Sequence, residues 1–166
     1  MRDAIKIIQP KVSKLSLILA KNAVKYRSVP AVGRTHGQHA SIISFGLKFA
    51  NWAAEMSTHL ERLDEIKKRV LICKTLGVVG TGSLMGKNAI KVQERVAQKL
   101  GLYSAKVTTQ IVPRERYAEY IFQFALLGET LEKIAIEIRN LQRTEIAEVS
   151  EHFKKVQLGS SAVPGL

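Results

Sequence analysis

Residues 45–70 read FGLKFANWAAEMSTHLERLDEIKKRV. Within them Phe45, Phe49, Trp52, Met56, His59, Leu63, Ile66 and Val70 recur at alternating steps of three and four, which places them along one stripe of an α-helix. Glu55, Glu61, Arg62, Asp64, Glu65, Lys67 and Lys68 fall mostly on other faces. The spacing predicts a long amphipathic helix with a bundle seam and excludes a strand, whose apolar residues would alternate.

Two further segments repeat that pattern. Upstream, Ile5, Ile8, Val12, Leu15, Leu19, Asn22 and Tyr26 hold a seam for about seven turns, with Pro10 inside it. Proline removes a backbone donor, so either a kink at Pro10 or a helix that begins near it is expected. Val29-Pro30 ends this segment. Downstream, Tyr120, Phe124, Leu127, Leu131, Ile134, Ile138 and Leu141 form a third seam filled with good helix formers. A helix of ~30 residues is about 45 Å long. Three such rods predict an all-α fold, an elongated antiparallel bundle of long helices forming a single domain over residues 1–166. Between the second and third rods, residues 77–83 (GVVGTGS) read as a loop, and a shorter amphipathic helix is expected over about 88–100, with a turn at Gly101.

Composition narrows the partners. Apolar residues make up 46% of the 166, enough for a substantial core and against disorder. Lys plus Arg number 26 against 14 Asp plus Glu, a formal charge of +12, so the natural partners carry negative charge. Nucleic acid rests on charge alone, because aromatic residues are not interleaved with the basic ones and no recognition helix stands out. No run approaches the ~20 apolar residues that a membrane crossing needs. Cys73 is the single cysteine, which excludes an internal disulfide, fits a reducing, cytoplasmic setting, and reads as a packing residue within a helical pattern.

Four polar clusters could carry chemistry. Gly33-Arg34-Thr35-His36-Gly37-Gln38-His39-Ala40 lies in the connection between the first two rods, where histidine could exchange protons near neutrality. The competing reading has Thr35 or Ser41 capping the second helix and the histidines merely solvated. The glycines of 77–83 could cradle an anion with backbone donors, or simply connect two elements. Thr108-Thr109-Gln110 and Arg114-Glu115-Arg116-Tyr117 precede the third rod. Arginines at a helix start oppose the local dipole, so Arg114 and Arg116 either meet anions or pair with Glu115 and Glu119. Gly159-Ser160-Ser161-Ala162-Val163-Pro164 follows the third rod. His36 and His39 lack the neighbouring Cys or carboxylate groups that a metal site requires, so neither metal nor cofactor is expected.

In this order the pieces resemble the adenylosuccinate lyases of the fumarase/aspartase superfamily. Gly33-Arg34-Thr35-His36-Gly37-Gln38 looks like that family's second signature region. Phe45-Gly46-Leu47-Lys48, Val79-Gly80-Thr81, Thr109-Gln110, Arg114-Glu115-Arg116 and Glu137-Ile138-Arg139-Asn140-Leu141-Gln142 follow with similar spacing. Gly159-Ser160-Ser161-Ala162-Val163-Pro164 looks like the start of the superfamily's signature loop, although Val163 stands where the loop usually has Met and Leu166 where it has Lys.

The resemblance implies a β-elimination. A base takes a proton from the succinyl carbon, a carboxylate-stabilised carbanion forms, an acid protonates the departing nitrogen, and fumarate leaves. It implies His36 as general acid, Ser160 as general base, Thr35, Gln110 and Ser161 as substrate-binding residues, and Arg114 as an anion contact. The substrate would be an anionic nucleotide bearing a succinyl group, which suits a basic chain. The family assembles as homotetramers through the helical bundle, with each active site built from several subunits. By the same resemblance this chain corresponds to the middle of an enzyme, without the N- and C-terminal domains, and is expected to be inactive or nearly so alone. The alternative from another class is a non-catalytic helical oligomerisation module derived from the same fold.

Overall fold

A computed structural model describes residues 1–152. Its elements are α1 (Arg2–Lys25), β1 (Pro30–Thr35), β2 (Gln38–Ser44), α2 (Phe45–Val70), β3 (Ile72–Cys73), α3 (Ala89–Leu100), β4 (Tyr103–Ser104) and α4 (Glu115–Leu141). The fold is predominantly helical, and two short two-stranded sheets are added to it: antiparallel β1–β2 and parallel β3–β4. By compactness the chain divides inside α4 into two units, Met1–Gly128 and Glu129–Leu166.

In the first unit α1 and α2 lie antiparallel. Gln9 meets Asp64 and Lys67, Ser16 meets the Ala53 carbonyl, and the backbone of Ala23 faces Gly46. The contact is close at Gly46, where a Cβ would overlap the Ala23 carbonyl oxygen. The seams read from the sequence are the buried faces: Ile5, Val12 and Leu19 on α1, and Trp52, Met56, His59, Leu63, Ile66 and Val70 on α2. Met56 is 0% exposed and Ile5 1%, and burying side chains of this size contributes roughly 1.5–3 kcal/mol each. The α1 helix runs through Pro10 without ending. Both Pro10 and Lys6, whose carbonyl proline deprives of its helical donor, are exposed, so water can satisfy that group. Buried Ile5 and Val12 on either side hold the helix together across it.

The connection between the first two helices is a hairpin rather than an irregular loop. Pro30 pairs with Ser44, Ala31 with Ile43, Val32 with Ile42 and Gly33 with Ser41, and the register shifts after Gly33 so that Arg34 faces His39 and Thr35 faces Gln38. Ser44, not Thr35 or Ser41, caps α2: its hydroxyl accepts from the Gly46 N–H at 3.1 Å and donates to the Arg27 carbonyl at 2.7 Å. The Phe45 N–H donates to the Val29 carbonyl at 2.8 Å. Beneath lies an aromatic chain in which Tyr26, Phe45, Phe49 and Trp52 follow one another with centroids 5.3–5.7 Å apart.

At the other end of α2 the helix stops at Val70, and Cys73 lies buried in β3 instead of in a helix. The Tyr103 N–H donates to the Leu71 carbonyl at 2.8 Å and the Ala105 N–H to the Cys73 carbonyl at 2.9 Å. Leu63, Ile66, Val70 and Leu71 form a core with Leu102, Tyr120 and Phe124. The start of α4 thus packs on the end of α2, where Arg69 pairs with Glu119 at 2.6 Å. Residues 77–83 form a loop, as expected, leading through a short 3-10 segment (Ser83–Asn88) into α3, which Gly101 ends at φ 64°. In the second unit α4 continues to Leu141, and the chain turns back so that the Glu148 N–H donates to the Leu141 carbonyl at 3.0 Å.

Candidate active site

The hairpin gives the Thr-His cluster its geometry. Thr35 and Gln38 are a pair across the ladder, which leaves His36 and Gly37 as the two-residue turn. Both have positive φ, 53° and 71°, the condition for the type I′ turn that matches the twist of the flanking strands. Glycine takes this conformation freely, but histidine takes it at a cost of about 1–2 kcal/mol. His36, Thr35 and Gln38 are all exposed. An imidazole held in a left-handed conformation on an exposed tip gains little from packing, so stability does not account for its place there.

The second group lies at the far end of α2. The Lys74 ammonium donates to the Gln110 carbonyl at 2.9 Å and also to the Gly77 carbonyl, tying the glycine-rich loop to the segment that carries Thr109 and Gln110. Gly80, at φ 81°, lies so close to that segment that a Cβ would overlap the Thr108 carbonyl oxygen. Thr75, Leu76, Val78, Val79, Leu84 and Met85 are among the residues lining a cleft of about 260 Å³ in this loop. The loop does not present its glycine donors as a cradle. The Gly80 N–H is engaged by the Gly77 carbonyl at 3.3 Å and the Gly82 N–H by the Leu76 carbonyl at 2.9 Å. Gln110, tied to the loop through Lys74, is exposed, as is Arg114. Arg116 has structural duties instead, donating to the Arg69 carbonyl at 2.5 Å and lying 3.9 Å from Glu115.

Thr35 and His36 therefore come together, and Gln110 comes together with the glycine loop, but the two groups are not joined in one chain. They stand at opposite ends of α2, whose 26 residues rise about 39 Å. Ser160 and Ser161 lie outside the described residues. Displaced pKa values mark the helix contacts. Burial pushes the Tyr120 phenol up, the Glu119 carboxylate holds the Arg69 guanidinium higher, and hydrogen bonds from Lys67 and Gln9 pull the Asp64 carboxyl down. Among the described residues no group of three His, Cys, Asp or Glu side chains is placed to hold a metal ion.

The protein family described as Lyase matches residues 1–165. The chain belongs to the lyase family. It is 45% identical over 164 residues to the adenylosuccinate lyase of Pyrococcus abyssi, covering 99% of this chain and 36% of that protein. It is 44% identical over 165 residues to that of Methanocaldococcus jannaschii, again 99% and 36%. The resemblance drawn from the motifs is borne out, and the chain spans about a third of the length of these lyases. Among solved structures, a fumarate lyase from Mesorhizobium sp. BNC1 superposes with TM-score 0.79 at 34% identity, over 87% of this chain and 34% of that one. The 3-carboxy-cis,cis-muconate lactonizing enzyme of Pseudomonas putida does so with TM-score 0.81 at 32% identity, over 90% and 34%. These neighbours confirm the long-helix architecture of the lyase fold.

Proposed function

We propose that this chain is the helical-domain portion of an adenylosuccinate lyase. The reaction is elimination of fumarate from adenylosuccinate, giving AMP, and from the succinyl imidazole-carboxamide ribonucleotide of purine biosynthesis. The observation that carries the reading is 45% identity over 99% of the chain to proteins of that name. In this reaction a base removes the succinyl proton, the carbon–nitrogen bond breaks, and the departing nitrogen takes a proton. His36 supplies that proton, Ser160 is the base, Thr35, Gln110 and Ser161 bind substrate, and Arg114 meets an anionic group. An acid at the tip of a short, well-registered hairpin is positioned by backbone pairing on both sides.

The separation of the His36 hairpin from Gln110 supports a site completed by more than one chain. A homotetramer built through the helices would bring the ends of different copies of α2 together. Exposed apolar residues on α1 and α4, among them Leu17 and Phe122 at 61% and 58% exposure, supply surface for that assembly. Residues 1–166 would then act as one helical domain of a cytoplasmic enzyme. Among the described residues no helix is long and apolar enough to cross a membrane. The test is direct: a lyase of the family's full length that contains this chain, incubated with adenylosuccinate, releases fumarate and AMP in equal amounts. Assembly without any fumarate release would establish the non-catalytic oligomerisation module instead.

A further inference from the structure

Gln93 is 1% exposed, the most deeply buried polar side chain among those described. Both N–H donors and the oxygen of its amide are engaged. Oε1 accepts from the Thr75 N–H at 2.8 Å, while Nε2 donates to the Ala105 carbonyl at 2.8 Å and to the Ser104 hydroxyl at 3.0 Å. From α3 it thus holds two strands of chain: the one leading into the glycine loop through Thr75, and the one leading through Ala105 to Thr109 and Gln110. The β3–β4 pairing fixes the same two strands just before they diverge. Lys74 fixes them again beyond it, because one ammonium bridges the carbonyls of Gly77 and Gln110. Gly80 permits the close backbone approach to Thr108 that brings those carbonyls within one ammonium's reach.

We propose that Lys74 is a positioning residue for Gln110, holding the Thr109-Gln110 segment against the glycine loop from a base that Gln93 fixes. Lys74 acts through the Gln110 backbone and touches no substrate. Its loss therefore loosens the placement of a binding group without removing an acid or base, and the effect falls on substrate affinity. This rests on the reading that Gln110 binds substrate, and the experiment separates the two.

Steady-state fumarate release is measured in that full-length lyase for Lys74→Met, Lys74→Arg, Gln110→Ala and the double variant Lys74→Met/Gln110→Ala. Lys74→Met is expected to raise KM about tenfold with kcat within about twofold, the pattern of lost binding that is equal in ground and transition states. Lys74→Arg, which keeps donors for both carbonyls, is expected to restore KM. In the Gln110→Ala background Lys74→Met is expected to add nothing further, because the group it positions is gone. A Lys74→Met KM equal to that of the unsubstituted protein, beside a raised KM for Gln110→Ala, overturns the positioning role alone. Full additivity of the two substitutions overturns it too, since Lys74 would then act on substrate independently. An unchanged KM for Gln110→Ala overturns the substrate role of Gln110 and the positioning role with it. Gln93→Met, with its folding first confirmed by thermal melting, is expected to show the same KM-selective loss, and a purely kcat-selective loss would contradict the proposal.

Discussion

At residue 36 local geometry and chemistry are in tension. The turn wants Asn or Gly, since both central residues have positive φ, yet histidine stands at the first position. Asparagine tolerates the left-handed conformation but cannot donate a proton at neutral pH. His36→Asn is therefore expected to leave the melting temperature unchanged or slightly raised while lowering kcat roughly 10²–10⁴-fold, the usual worth of a positioned acid. Fumarate release and circular dichroism on the same sample decide it, and kcat retained within a few-fold would remove His36 from the mechanism. The sequence shows His36 and its neighbours plainly, but a cluster of polar residues after Pro30 gives little sign of a ladder. The strand signal was present in Ala31-Val32 and Ile42-Ile43 flanking His-Gly, and it was diluted by the exposed polar residues between them.

At the scale of elements, α2 carries the fold. Met56 is wholly buried at its centre, so Met56→Ala leaves a cavity and is expected to cost about 2–5 kcal/mol, read as a lower urea midpoint at unchanged m-value. The Asp64–Lys67–Gln9 cluster between α1 and α2 is exposed by comparison, with Lys67 Nζ 2.6 Å from Asp64 and 2.8 Å from Gln9. A surface pair of this kind is worth no more than about 1 kcal/mol. Because the Asp64 pKa is lowered in the folded state, its contribution is present above the unfolded carboxylate pKa and is lost as pH falls through the folded value. Asp64→Asn is accordingly expected to destabilise slightly near neutrality and to match the unsubstituted protein in strong acid. A stability gap that widens on acidification would reverse the sign of the argument.

At the scale of the whole molecule, His36 and Gln110 occupy opposite ends of a helix that rises about 39 Å, farther than one nucleotide spans. If sites are completed between copies, a chain lacking one group can be rescued by a chain lacking the other. His36→Ala and Gln110→Ala full-length chains, the first nearly inactive and the second slow at low substrate concentration, are expected to regain fumarate release at low substrate when denatured and refolded together. Absence of any recovery in verified mixed oligomers would mean that one chain supplies both groups of a site.

Much of this was legible in the residues themselves. Helix seams repeat every three or four positions over many turns, so local periodicity alone determines which faces of α1 and α2 are buried, and the motif order alone determines the lyase family. The glycine loop and the end of α3 at Gly101 were legible for the same local reason. What the tertiary structure decided are the pairings of particular groups, from the Ser44 cap two residues away to the Lys74–Gln110 bond 36 residues away. They are the hairpin that aims His36, the Ser44 cap, the β3 position of Cys73, and the joining of Lys74 to Gln110 and of Gln93 to Thr75 and Ala105. Periodicity reports only which side of a segment avoids water. Which partner satisfies a given carbonyl or amide is settled by chain closure in three dimensions, and no local pattern encodes it.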